Sequence, residues 1–126
     1  MSMRTPLGKV RGLGSAKSGT EHWWMQRVTA IANLPLGLFA IGFIIAHLGA
    51  TRAELAASLG NPFAAILLGL FFISVLWHMR LGLQVVIEDY VHGHRAKLAA
   101  LLFNTFFTSL LGAAALYAIL KMSFGL

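Results

Sequence analysis

The 126 residues are 58% hydrophobic and only 11% charged, with a mean hydropathy of +0.77, too little charge to coat a water-soluble domain of this length. The chain has no cysteine, which excludes disulfides, Cys-ligated zinc and iron–sulfur clusters, so any metal held here uses histidine, carboxylate or methionine. The net charge of +6 is not a nucleic-acid stripe: Arg4, Lys9, Arg11 and Lys17, four of the ten basic residues, crowd into the first twenty positions, where they act as a topology signal.

Residues 1–20 are basic, rich in Gly and Ser and free of acid. They lack the apolar core of a secretory signal, and they are short and poorly amphipathic for a mitochondrial transit peptide. Residues 1–26 therefore read as a retained cytoplasmic tail. Three uncharged apolar stretches follow, at 28–50, 62–79 and 98–120. Each reaches the roughly 18–20 residues that cross about 30 Å of hydrocarbon. The second continues in helical pattern through Arg80 to Tyr90, so it is expected to project beyond the membrane. The expectation is an all-α membrane protein with spans at about 27–50, 62–91 and 97–122, and 27–126 forming one anchor domain. The 51–61 link, with Thr51, Arg52, Glu54, Gly60 and Asn61-Pro62, reads as a short loop ending in a helix start. The 92–97 link, His-Gly-His-Arg-Ala-Lys, is short and basic.

Three crossings put the tail and the 92–97 link on one side. That side holds Arg4, Lys9, Arg11, Lys17, Arg27, Arg95 and Lys97, against Arg52 and Lys121 opposite. The tail and second link are thus expected in the cytoplasm (or the mitochondrial matrix), with the C-terminus facing away. Gly69, Gly82 and the run Gly112–Ala115 permit close helix contacts. Three helices of this size point to a partner subunit.

An ionisable residue within a span is a functional hypothesis by default, because burying it unpartnered costs several kcal/mol. His78 leads. At 100° per residue, Gly82, Val85 and Asp89 fall within about 40° of it. An imidazole with a glycine one turn along suits a flat macrocycle, which needs a ligand for iron and room against the backbone. The alternative is a histidine that hydrogen-bonds a neighbouring helix, and spacing alone does not choose between the two. Arg80 points almost opposite and reads as a snorkelling side chain, or as a cation for an acidic partner or lipid phosphate. His47 lies twenty residues beyond Arg27, about 30 Å along the first helix, so it should sit about 12 Å deeper than His78 and be interfacial. His22, His92 and His94 belong to the cytoplasmic side, the latter two solvated around a glycine.

The run His78-Met-Arg-Leu-Gly-Leu-Gln-Val-Val-Ile-Glu-Asp-Tyr90-Val resembles the H-x3-G-x6-DY signature of the hydrophobic membrane anchor subunit of succinate dehydrogenase (complex II). The segment His22-Trp-Trp-Met-Gln-Arg27-Val-Thr-Ala is similar to that family's arginine-containing entry into its first helix. The likeness covers essentially the whole chain and is strongest to alphaproteobacterial members. It implies a heterodimeric anchor bundle with a cytochrome b556 subunit, docked to an iron–sulfur subunit and a flavoprotein subunit that keep the iron–sulfur clusters and FAD. It implies, further, that His78 is an axial ligand of heme b shared with the partner, that Tyr90 binds a ubiquinone carbonyl beside Asp89, and that Arg27 lies near the heme propionates and quinone pocket. The location implied is the bacterial inner membrane, with the mitochondrial inner membrane as alternative.

The residues are compatible with those roles. Tyr90 follows His78 by twelve positions, about 18 Å along a helix, which puts a phenol at the interface where a quinone headgroup and incoming electrons would meet. Tyr donates a hydrogen bond without adding charge. Read alone, Tyr90 is also an ordinary interfacial anchor, and Asp89 a charge set against Arg95 or Lys97. Trp23 and Trp24 read as interfacial belt. Two rivals stand beside this reading: the anchor of a related quinone-linked enzyme such as fumarate or formate oxidoreductases, and a non-redox membrane scaffold or half of a small transporter.

Overall fold

The computed structural model describes residues 3–15 and 18–126; Lys17, counted above among the orienting charges, lies outside them. Among the described residues the chain is all-helical: α1 (Pro6–Val10), α2 (Gly19–Ala46), α3 (Arg52–Leu59), α4 (Pro62–Tyr90) and α5 (His94–Ser123). The helices α2, α4 and α5 are long and apolar enough to cross a membrane. Asn61 and Pro62 start α4 as expected: the Asn61 side chain accepts from the Phe63 amide at 3.0 Å, and proline, which has no N–H to lose, opens the first turn. With 29 residues, α4 is about 43 Å long and exceeds the hydrocarbon thickness.

Three differences from the sequence-based bounds have physical causes. α2 begins at Gly19, eight residues before the expected start, because its first two turns carry Glu21, His22 and Gln26. Such residues suit the polar interface and defeat an apolar window. It ends at Ala46, and Gly49 then takes φ +79° to turn the chain. The 51–61 link is not a plain loop: 52–59 form α3. A reciprocal capping box nucleates it, with the Glu54 amide donating to Thr51 Oγ1 at 3.3 Å and the Thr51 amide donating to Glu54 at 2.7 Å. The link between α4 and α5 shrinks to 91–93, because His94 already lies in α5. There Lys97 Nζ donates to the Glu88 carbonyl at 3.0 Å, serving an end group of α4.

α4 lies between α2 and α5, running antiparallel to both, and the backbones of α2 and α5 do not come close to one another among the described residues. The spans thus form an open row. At the end holding α3, Ala40, Leu59, Leu68 and Ile119 make a small apolar core, flanked by Phe39, Phe43, Phe71 and Phe72. Only 11%, 6% and 11% of the spanning windows of α2, α4 and α5 are buried within the chain. Most of their apolar surface is therefore left for lipid or partner helices.

Around the middle of α4, side-chain hydrogen bonds join the spans. Ser74 Oγ donates to the Thr29 carbonyl at 3.3 Å, joining α4 to α2. Asn104, 4% exposed, donates from Nδ2 to the Arg80 carbonyl at 2.9 Å, joining α5 to α4. In a bilayer such a tie contributes roughly 0.6 kcal/mol on average. Together they fix the register that sets what His78 meets.

Candidate functional site

His78 sits half-buried on the face of α4 turned to α2. Its Nδ1 lies 3.0 Å from Oγ1 of Thr29, a residue 5% exposed. Nε2 of His78 has no hydrogen-bond partner among the described residues. Gly82, one turn on, faces the same helix: a Cβ there would meet only Gln26 Nε2, at 3.7 Å, an ordinary contact. No neighbour among the described residues requires glycine at that position.

The α2 residues on this seam are polar and incompletely paired. His22 Nε2, Gln26 Oε1 and Asn33 Oδ1 are buried and have no hydrogen-bond partner among the described residues. All three sit within two turns of Thr29, on the side of α2 that meets α4. Buried polar atoms left unpaired cost about 1–3 kcal/mol each, so their concentration here, and not at the α3 end, marks the site. Beside it a cleft of about 300 Å³ opens between the helices, lined by Ser18, Glu21, His22, Trp77, Arg80 and Gln84 among others. Arg80 thus borders a polar cleft as well as the outer surface.

The other expected residues stand apart. The Arg27 guanidinium lies over the Trp23 ring, 5.3 Å from its centroid, on an exposed part of α2 about 200° around the helix from Thr29. Trp23 in turn stacks on Trp24 at 6.1 Å, both rings being exposed. Tyr90 closes α4 and is 77% exposed. Asp89 is exposed and makes no ion pair among the described residues. The chain does not bring His78, Arg27 and Tyr90 together; each faces its own stretch of surface at the same half of the bundle.

His47 is a different kind of histidine. Its Nδ1 bonds the Phe43 carbonyl at 2.8 Å and its Nε2 the Ser58 hydroxyl at 2.7 Å, while the ring stacks on Phe43 at 4.2 Å. Both nitrogens are occupied: Nδ1 is tied to the last turn of α2, and Nε2 joins that end to α3. Thr29 is level with His78, and His47 lies eighteen residues further along the chain, so the two histidines differ in depth by about 27 Å. The separation exceeds the expected 12 Å because α2 enters at Gly19, not at Arg27.

Thr29 escaped the sequence reading. No pattern within one helix reveals a contact that spans 49 positions; the signal present was a hydroxyl on the same face as His22 and Gln26.

These features define a small polytopic membrane protein whose polar seam, in an open helix row, carries two imidazoles with an unpaired ring nitrogen, that of His22 near the start of α2 and that of His78 midway along α4. The profile of the family described as "Succinate dehydrogenase/Fumarate reductase transmembrane subunit" matches residues 1–112. The succinate dehydrogenase hydrophobic membrane anchor subunit of Paracoccus denitrificans is 36% identical over 121 residues, covering 96% of this chain and 93% of that one. The corresponding subunit of Rickettsia bellii is 36% identical over 94 residues, 75% of each chain. The succinate dehydrogenase membrane anchor subunit of Reclinomonas americana is 34% identical over 88 residues, 68% of this chain and 73% of that one. No solved structure gives a significant match. The chain belongs to the succinate dehydrogenase/fumarate reductase transmembrane subunit family, and it is a multi-pass inner-membrane protein.

Proposed function

We propose that this chain anchors a succinate dehydrogenase in the membrane and, with a second anchor subunit of the cytochrome b556 type, holds heme b and receives ubiquinone. The observation that carries the reading is His78: a mid-span imidazole whose Nδ1 is tied while Nε2 is left free. Among the described residues no three His, Cys, Asp or Glu side chains gather to hold a metal by themselves. Heme brings its own ring nitrogens to the iron and would ask the protein for a side-chain ligand only; the unpaired Nε2 of His78, midway along α4, would meet that demand. Heme b, when bound, supplies a one-electron store beside the route to the quinone.

The chain's own residues then divide the work by depth. His78 Nε2 offers a lone pair in the span. Gly82 leaves the adjoining turn without bulk. Arg27, exposed and steadied over Trp23, is the cation at that level for the heme carboxylates or the rim of the quinone pocket. Tyr90, about 18 Å nearer the tail end, holds its phenolic proton where a ubiquinone carbonyl can accept it, with Asp89 beside it. As the quinone takes two electrons and two protons to become ubiquinol, that hydrogen bond strengthens toward the reduced oxygen. Succinate oxidation, with FAD and the iron–sulfur clusters, belongs to the flavoprotein and iron–sulfur subunits docked at this end, which is the cytoplasmic one.

The test is Tyr90→Phe in the assembled complex. It removes one hydrogen bond worth about 0.5–1.5 kcal/mol and keeps the ring. Succinate:ubiquinone reduction should fall roughly two- to tenfold, while succinate oxidation by a soluble dye that draws from the hydrophilic subunits stays near normal. Equal loss in both assays would make Tyr90 a packing residue, and no loss in either would place the quinone elsewhere.

A further inference from the structure

The Thr29 hydroxyl has three neighbours and one proton. Oγ1 lies 2.7 Å from the Met25 carbonyl, 3.2 Å from the Gln26 carbonyl and 3.0 Å from His78 Nδ1. Carbonyl oxygens only accept. Two oxygens 2.7 Å apart with no proton between them repel, so the Thr29 proton is committed to Met25, with Gln26 as its second acceptor. Toward His78 the hydroxyl therefore presents a lone pair, and the proton on that bond must sit on Nδ1. A neutral imidazole carrying hydrogen on Nδ1 has its lone pair on Nε2, the nitrogen without a protein partner.

We infer that Thr29 is a positioning residue for His78: its hydroxyl selects the Nδ1–H tautomer, fixes the ring plane and so aims the Nε2 lone pair at the heme iron. This rests on the reading of His78 as the axial ligand. The arrangement is stiff because Thr29 is held at both ends. Its hydroxyl is anchored to its own helix, and its carbonyl accepts from Ser74 Oγ on α4, one turn before His78. Oxygen acceptors on the far nitrogen of a ligating histidine recur at metal sites, where they orient the ring and raise its basicity, and their loss typically costs roughly 10–100-fold in affinity or activity. A more basic imidazole favours ferric over ferrous iron, so removing the acceptor raises the midpoint potential.

The experiment compares Thr29→Val, which keeps the shape and removes the acceptor, with Thr29→Ser, which keeps the acceptor, in the purified complex. Readouts are the heme midpoint potential, the low-spin electron paramagnetic resonance signal and heme per complex. Thr29→Val should shift the potential upward, alter the low-spin signal and lower heme occupancy, and Thr29→Ser should restore all three. Thr29→Ala gives the same comparison should the valine variant fail to assemble. Wild-type potential and signal in Thr29→Val, or equal shifts in Val and Ser, would overturn the inference; so would failure of Val and Ala alike to assemble, which would make Thr29 a fold residue. His78→Ala in parallel separates the two claims. If it leaves the heme signal intact, the ligand reading itself fails; if it abolishes the signal while Thr29→Val does nothing, only the role of Thr29 fails.

Discussion

Gly82→Ala separates what the fold needs from what a macrocycle needs. A Cβ at position 82 would meet a single atom, Gln26 Nε2, at 3.7 Å, so the substitution creates no clash within the chain. Replacing glycine by alanine inside a helix gains about 0.8–1.0 kcal/mol of intrinsic helix propensity. The chain alone should therefore keep or slightly raise its stability. The assembled complex should behave oppositely if a flat ring lies against this turn, because a methyl group there displaces it from His78. Gly82→Leu should enlarge that loss, its side chain reaching further along the seam. The assay is heme per complex and the reduced b-type absorbance, set against complex yield and thermal stability of the same preparations. Full heme content and a native spectrum in both variants would refute the reasoning, and the small residue would then have no bearing on heme.

Two further outcomes follow from the architecture. The chain has no cysteine, so a single cysteine at position 94, exposed at the start of α5, should be labelled from the cytoplasmic side and one at position 126 from the other; the reverse pattern overturns the orientation. At α3, hydrogen bonds from the Thr51 amide and then its hydroxyl hold the Glu54 carboxyl below the ordinary carboxylate range. A depressed folded pKa means the capping box is intact above the ordinary value and is lost as pH falls through the lowered one. Amide exchange at Thr51 should accelerate across that acidic window in the wild type and show no such step in Glu54→Gln.

The three spans were legible because length and apolarity suffice for a bilayer, and the Asn61-Pro62 start was legible because cap chemistry is local. α3 was readable in principle, since Thr51-Arg-Ala-Glu54 is a capping-box pattern, but eight residues carrying Arg52, Glu54 and Ser58 between two much longer apolar spans look like a loop. The early start of α2 was hidden by its charged and polar first turns. Of the candidate site, the identity of His78 and the face it shares with Gly82 came from helical periodicity. Its partner Thr29, the unpaired atoms of His22, Gln26 and Asn33, and the engagement of both His47 nitrogens depend on the register between α2 and its neighbours, which no single-helix pattern encodes. Arg27, Tyr90 and Asp89 entered through a family resemblance, and their exposed positions suit contacts made with other subunits.

The central claim, that His78 ligates heme b, is tested most directly by recording the reduced spectrum and the heme potential of complexes carrying His78→Ala and His47→Ala side by side. His47 has both ring nitrogens occupied and lies about 27 Å away in depth, so its replacement should loosen α3 and leave the heme signals as in the wild type. Replacing His78 should strip or shift them. A native spectrum and potential in His78→Ala, together with altered ones in His47→Ala, would contradict the account.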